Sequence, residues 1–121
     1  MKINHAGFAV EDLDKAIALY EEMGFTLKSR FEKPEPHAFV ATVVDEDGTG
    51  LELWQFDSDH PLRKYIGRHV AFLCDDVRRD GRVMIQNGFK EVIPYTEGVK
   101  MNYIFVEDSF GTVFELAEKK Q

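Results

Sequence analysis

Residues 5–17 read HAGFAVEDLDKAI, and residues 69–81 read HVAFLCDDVRRDG, 64 positions later (69 − 5). Each stretch opens on a histidine, continues through small and apolar residues, reaches two acidic residues and then alternates polar with apolar positions. This order predicts a short strand followed by a helix, because acidic side chains complement the dipole at a helix N-terminus. The two stretches therefore predict that the chain contains one structural unit twice.

The repeat extends well beyond these two stretches. Gly24-Phe25 matches Gly88-Phe89 at the same offset. Residues 45–54, DEDGTGLELW, match residues 108–117, DSFGTVFELA, at an offset of 63 (108 − 45), which aligns Glu52 with Glu115. One single-residue gap thus aligns nearly the whole chain with itself.

Each half reads as a strand, a helix and three further strands. Apolar periodicity and turn residues predict strands over 3–10, 25–31, 37–44 and 51–56 with a helix over 13–23, and Pro34 and Pro36 predict the break after the second strand. The second half predicts a strand over 68–74, a helix over 77–87 and strands near 89–94, 101–106 and 112–117. We expect the α+β class, with two βαβββ modules, 1–57 and 68–121, in one compact domain. The linker, 58–67, has an apolar cluster that predicts a helical turn.

Composition limits the classes of partner. The 121 residues carry a net charge of −7 with a pI near 5.0, which argues against nonspecific binding to nucleic acid or to an anionic membrane surface. No apolar run approaches the roughly 20 residues that span a bilayer, and the N-terminus does not resemble a signal peptide, so we expect a soluble, cytoplasmic protein. The single cysteine, Cys74, excludes an internal disulfide and is predicted to be a buried, inert thiol.

Strand alternation places His5, Glu52, His69 and Glu115 on the face opposite the helices. A carboxylate in a mostly buried sheet is costly unless it is paired, hydrogen-bonded or metal-bound. A lone strand histidine is more often structural than a ligand, and a lone glutamate is usually solvated. Their recurrence at equivalent positions favours one divalent metal per site: nickel, zinc, cobalt, iron or manganese.

Other residues near the predicted ligands have two interpretations. Trp54 and Phe56 share the alternation of Glu52, so they are predicted to bind substrate, although core packing or a subunit contact fits nearly as well. Tyr103 has the same two interpretations. His37 is predicted to be a solvated strand end rather than a cleft residue, and His60 is predicted to lie on the surface.

Four segments carry a resemblance to a known superfamily: INHAGFAVEDLDKAIALYEEMGF, GTGLELWQF, RHVAFLCDDV and VEDSFGTVFELAE. They resemble the vicinal-oxygen-chelate proteins, which include glyoxalase I, methylmalonyl-CoA epimerase, extradiol dioxygenases and bleomycin-binding proteins. The set His5, Glu52, His69 and Glu115 is most similar to the ligands of bacterial glyoxalase I. The resemblance implies that the two modules form a curved mixed sheet around a metal cleft. It also implies a small-molecule substrate and a homodimer. The sequence leaves open whether the site forms within one chain or between two.

The resemblance also implies a reaction: proton transfer next to a carbonyl through a metal-bound enediolate. Glu115, and also Glu52, would then be catalytic, as a ligand that loosens from the metal and accepts the proton. Bacterial glyoxalase I anchors glutathione with an arginine and an asparagine at the positions of Ala9 and Phe56. Neither residue here can pair with a carboxylate, which argues against glutathione as cosubstrate.

Three other functions compete with a glyoxalase-like lyase. A ligand-sequestering protein of the bleomycin-resistance type would not need the metal ligands, so retention of all four argues against it. An isomerase similar to methylmalonyl-CoA epimerase fits the fold, although those enzymes usually have glutamine at the position of Glu52. A transferase similar to the fosfomycin-resistance proteins typically uses two histidines and one glutamate, which the fourth ligand residue disfavours.

Overall fold

The computed structural model describes residues 1–34, 37–57 and 59–120. They form two compact units, one comprising His5–Arg68 and the other Met1–Asn4 with His69–Gln121. The predicted strand break at Pro36 and the predicted start of the linker at Ser58 lie outside the described residues. Within the described part of the chain, no helix is long and apolar enough to cross a membrane.

The first unit is a mixed four-stranded sheet with one helix packed against it. Its elements are β1 (Lys2–Ala9), which belongs to this unit from His5 onward, α1 (Leu13–Glu22), β2 (Thr26–Lys33), β3 (Ala38–Val44), β4 (Gly50–Phe56) and the short α2 (Arg63–Ile66). The strand order is β2-β3-β4-β1, with β1 parallel to β4 and the other neighbours antiparallel. The predicted helical turn in the linker is α2.

The second unit repeats this arrangement. Its elements are β5 (Arg68–Leu73), which belongs to this unit from His69 onward, α3 (Val77–Gln86), β6 (Lys90–Glu97), β7 (Met101–Glu107) and β8 (Val113–Lys119). The strand order is β5-β8-β7-β6, again with one parallel pair, β5 with β8. The predicted α+β class and the repeated βαβββ order are therefore confirmed, while the exact module bounds stay predictions.

The repeat holds at the level of single hydrogen bonds at the start of each long helix. The Asp12 side chain accepts from the backbone N–H of Lys15 at 3.1 Å, and Asp76 accepts from that of Arg79 at 3.0 Å. Such side-chain caps satisfy N–H groups that a helix leaves without partners.

The last strand of each unit supplies a second bond to the same helix start. Gln55 Oε1 accepts from Leu13 N at 2.6 Å, and Glu118 Oε1 accepts from Val77 N at 2.7 Å. Both acceptors lie three positions after the predicted ligand glutamate of their strand. These bonds therefore hold β4 and β8, the strands that carry the two glutamates, against the helices.

Each unit also has its own apolar core between helix and sheet. One core contains Leu13, Ile17, Ala41, Val43 and Leu53. The other contains Cys74, Val77, Ile104, Val106 and Leu116. The neighbours of each predicted ligand glutamate along the strand pack on this helix side, so the glutamates themselves point to the opposite face.

The structure differs from the predicted elements mainly at β6. The strand continues through Pro94 to Glu97, whereas the sequence predicts an end near residue 94. Its pairing with β7 is irregular between Ile93 and Thr96, and Pro94 itself is exposed. Proline has no backbone N–H, so it is tolerated where a strand has a partner on one side, as in this last strand of the sheet order.

His37 connects the ends of three strands of the first unit. Its Nε2 lies 2.7 Å from Glu32 Oε2, and its Nδ1 lies 3.0 Å from Asp57 Oδ2. Ionised carboxylates only accept hydrogen bonds, so both contacts are satisfied when the imidazole is protonated. Hydrogen bonding to Glu32 is the largest cause that raises the pKa of His37 above 6.5, and Asp57 adds to it. His37 is therefore an ion-paired residue rather than a merely solvated strand end.

We expect His37→Gln to destabilise the protein in acid more than in base. Because the pKa is raised in the folded chain, the stabilisation is fully present below about pH 6.5 and is lost as the pH rises through the folded value. The residue is well exposed, so the melting temperature should fall by only about 2 °C near pH 5.5 and by less near pH 9. Thermal melts at both values test this, with Glu22→Gln on α1 as an exposed control. An equal effect at both values would contradict the pairing.

Candidate metal centre

The first unit brings His5 and Glu52 together on adjacent parallel strands. Glu52 is in register with Gly7, two residues along β1 from His5 and on the same face. His5 Nε2 lies 3.6 Å from Glu52 Oε2, and the two side chains are 15% and 24% exposed. Two of the predicted ligands are therefore neighbours in a partly buried environment.

The second unit brings His69 and Glu115 together in the same way. His69 Nε2 lies 3.3 Å from Glu115 Oε1, and the imidazole is fully buried. The Phe105 and His69 rings pack at a steep angle, 65° between planes, with 5.0 Å between centroids, and Phe105 is in register with Glu115 across β7 and β8. Phe105 thus contacts one predicted ligand and flanks the other.

The donor atoms in each pair have the chemistry and spacing of neighbouring metal ligands. Metal–nitrogen and metal–oxygen bonds of about 2.1 Å place adjacent donors about 3.0 Å apart at right angles and about 3.4 Å apart in a tetrahedron. The measured separations of 3.6 Å and 3.3 Å require little adjustment. Imidazole and carboxylate together suit zinc and the first-row transition metals. Each His–Glu pair can therefore contribute two ligands to a divalent ion.

Glu52 is held by an aromatic neighbour that has no counterpart in the second unit. Trp54 Nε1 donates a hydrogen bond to Glu52 Oε1 at 2.6 Å, and the Trp54 residue is only 5% exposed. The equivalent position in the second unit is Ala117. The two His–Glu pairs are thus chemically alike, but only Glu52 accepts a hydrogen bond from a tryptophan two positions along its strand, since alanine stands at the equivalent position of the second unit.

Phe56 and Lys33 also lie close to the Trp54 indole. Phe56 stacks on the indole with 5.7 Å between centroids and 18° between planes, and Lys33 Nζ lies 5.4 Å from the indole centroid. Trp54 and Phe56 were predicted to contact substrate, and that role stays a prediction. The buried indole presents little surface, whereas its bond to Glu52 gives it a positioning role that alternation alone did not indicate.

Tyr103 lies within electrostatic reach of the second pair. Partial burial is the largest cause that raises the pKa of Tyr103, and the negative charge of Glu115 adds to it, while a hydrogen bond with the Thr96 side chain acts in the opposite direction. Tyr103 also packs edge-on against Phe105 at 5.9 Å. Its predicted role in substrate binding is untested, but it belongs to the environment of Glu115.

Cys74 takes no part in this chemistry. Burial, followed by the charge of Asp80, raises the pKa of the thiol to about 11. The thiolate, which is the reactive form, is therefore scarce near neutral pH. The predicted burial of Cys74 is confirmed, and the raised pKa agrees with an inert thiol.

Comparison with known proteins places this geometry in a family. Residues 2–116 match the model of the Glyoxalase/Bleomycin resistance protein/Dioxygenase superfamily. The chain belongs to this superfamily. The predicted membership is thereby confirmed, while the closer likeness to bacterial glyoxalase I stays a prediction.

One relative and two solved structures illustrate what this chain is similar to. The uncharacterized protein YwbC of Bacillus subtilis (strain 168) is 30% identical over 116 residues, which cover 93% of this chain and 80% of YwbC. The structure of BH1468 from Bacillus halodurans C-125 aligns with a TM-score of 0.84 at 20% identity, covering 99% of this chain and 95% of that one. A Streptomyces coelicolor methylmalonyl-CoA epimerase in complex with 2-nitronate-propionyl-CoA aligns with a TM-score of 0.80 at 22% identity, covering 100% and 99%. At these identities the two structures establish the glyoxalase-type fold.

Proposed function

We propose that this chain is a divalent-metal-dependent lyase or isomerase of glyoxalase type, which moves a proton at a carbon next to a carbonyl. The observation that carries the proposal is the recurrence of a His–Glu pair in each unit, with donor atoms 3.6 Å and 3.3 Å apart. Packing alone gives no reason for two such pairs at equivalent positions of a repeat. His5, Glu52, His69 and Glu115 are the proposed ligands of one ion, which is nickel, zinc, cobalt, iron or manganese.

A bound divalent ion would stabilise the negative charge that develops on a carbonyl oxygen as the neighbouring proton leaves. The protein must then supply a group that accepts this proton. Both glutamates are candidates, but the indole N–H of Trp54 holds one oxygen of Glu52 in place. This support suits Glu52 to a fixed ligand role. We therefore propose that Glu115 is the group that accepts the proton.

The remaining parts of the proposal concern substrate and assembly. Ala9 and Phe56 cannot anchor a glutathione carboxylate, so the proposed substrate is a small-molecule carbonyl compound, of any length, that does not require glutathione. The superfamily assignment supports a small-molecule substrate. A homodimer in the cytoplasm completes the proposal.

Metal content together with proton exchange tests the function. We expect purified protein, loaded with nickel, cobalt or zinc and desalted, to retain about one ion per chain. The loaded protein should exchange the α-protons of at least one compound in a panel of α-oxo and α-hydroxy carbonyl compounds in deuterated water, followed by NMR. Chelation should abolish that exchange, and readdition of metal should restore it. Failure to retain any of the three metals would overturn the proposal.

The competing binding-protein function makes a different prediction for the same material. Trp54 is the single tryptophan of the chain and contacts Glu52, so its fluorescence reports on this site. Saturable quenching by an aromatic ligand that is unchanged by chelator, without proton exchange, would favour a sequestering protein. Metal-dependent quenching accompanied by exchange supports the enzyme.

A further inference from the structure

A cleft of about 570 Å³ lies where the linker folds back on the end of β1. The backbone N–H of Ala9 donates to Gly67 O at 2.8 Å, which fixes the linker against the strand. A Cβ at position 67 would lie 2.6 Å from Arg63 O and 3.1 Å from the Ala9 Cβ. The close approach that shapes this cleft therefore requires glycine at that position.

The cleft is locally positive on a strongly acidic chain. Arg63, Lys64 and Arg68 line it, and Asp59 is the one carboxylate among the described lining residues, so their net charge is +2 with His60 neutral. The chain as a whole carries −7. Three cations gathered around one concave surface raise the local concentration of anions, and guanidinium groups can bind carboxylate or phosphate through two parallel hydrogen bonds.

The position of the cleft relates it to the first His–Glu pair. Ala9 lines the cleft and lies four residues after His5 on β1, about 13 Å along the strand at about 3.3 Å per residue. Alternation places both side chains on the same face, and Trp54 is in register with Ala9. The cleft therefore lies at the end of the strand face that carries His5.

We propose that this cleft binds an anionic group, a carboxylate or a phosphate, at the far end of the substrate. The inference rests on the proposed function, which supplies the reacting end near His5 and Glu52. It specifies the substrate as an elongated carbonyl compound whose anionic group lies on the order of 10 Å from the reacting carbon. Arg63, Lys64 and Arg68 are the binding residues. Small neutral carbonyl compounds would then be poor substrates.

Titration with simple anions tests the cleft without using the reaction. Metal-free protein, desalted after chelation, is titrated separately with inorganic phosphate and with succinate at constant ionic strength, and the backbone amides of Gly67 and Arg68 are followed by NMR. We expect saturable shifts at these amides with at least one anion. If only one of the two anions gives saturable shifts, that result identifies the kind of anionic group, phosphate or carboxylate, that the cleft binds. Failure of both anions to saturate would overturn the inference.

Matched charge removal makes the test specific. Lys64→Gln with Arg68→Gln removes two exposed cations of the cleft and should weaken anion binding about tenfold or more. Lys28→Gln with Arg82→Gln removes the same charges at exposed positions elsewhere and should leave the affinity within about twofold. If both double variants weakened anion binding equally, the binding would depend on the overall charge of the protein. The inferred anion site in the cleft would then be refuted. The titration uses metal-free protein, so its outcome is independent of the metal and proton-exchange experiments. Anion binding can fail while metal binding and proton exchange succeed, and anion binding can succeed while they fail.

Discussion

Replacing Glu115 with glutamine is expected to weaken cobalt or nickel binding on the order of 100-fold or more. Residues that merely support metal ligands are worth about 10–100-fold in affinity, and Glu115 is a proposed ligand in its own right. Glutamine keeps the shape of the side chain but removes the negative charge 3.3 Å from His69 Nε2. Because His69 is fully buried, little water is available to replace the lost carboxylate.

The same substitution should abolish proton exchange even at metal concentrations that saturate the variant. An amide cannot accept the proton, and loss of a positioned base typically costs about 10²–10⁴-fold in rate. Chelator-competition titration followed by Trp54 fluorescence gives the affinity, and NMR in deuterated water gives the exchange rate. Measuring both separates a role in metal binding from a role in proton transfer.

Glu91→Gln is the matched control for this prediction. Glu91 lies exposed on β6 of the same unit, so the control makes the same change of charge and shape away from the pair. Metal affinity and exchange should be unchanged within about twofold. If Glu115→Gln behaved like Glu91→Gln, Glu115 would be neither a ligand nor a base, and the proposed site would be wrong.

Two features of the sequence predict the orientation of the candidate ligands: the alternation of side chains along a strand and the internal repeat of the chain. The alternation of β1 and β4 sets which face His5 and Glu52 occupy. That the two residues are neighbours follows from the parallel pairing of these strands, which only the structure shows. The same reasoning applies to His69 and Glu115. The internal repeat strengthens this prediction, because an error in interpreting one half would have to recur in the other half.

What the sequence missed depends on contacts between side chains that are distant along the chain. The pairing of His37 with Glu32 and Asp57 joins the ends of three strands, and no local pattern fixes those distances. Alternation predicted that Trp54 shares a face with Glu52, but not that the indole would donate a hydrogen bond to it. Periodicity gives the direction of a side chain, whereas its partners depend on packing.

The cationic cleft is the clearest example of this limit. Ala9 and Phe56 carry no charge, which by itself argues against binding of a glutathione carboxylate. The structure brings Arg63 of the linker to 5.8 Å from the Phe56 ring centroid and into the same cleft as Ala9. A position in a strand can therefore lie next to a cation supplied by another segment, which a comparison of strand positions alone does not reveal.

The largest expected effect on stability comes from Leu116→Ala. Leu116 is completely buried and packs among Val77, Ile104 and Val106 in the core of its unit. Removing a fully buried leucine side chain costs about 2–5 kcal/mol, from lost transfer energy and from the cavity that remains. That is a large share of the 5–15 kcal/mol by which a domain is typically stable, so the midpoint of urea denaturation should fall sharply.

The internal repeat supplies both a replicate and a control for this measurement. Leu53 is the equivalent residue of the first unit and is also completely buried, so Leu53→Ala should fall in the same range. Leu19 lies on α1 with 55% exposure, and Leu19→Ala should change stability by less than about 0.5 kcal/mol, as surface substitutions usually do. Urea titrations followed by circular dichroism compare the three variants. A cost for Leu116→Ala no greater than that for Leu19→Ala would contradict the core, because burial is the property in which the two leucines differ most.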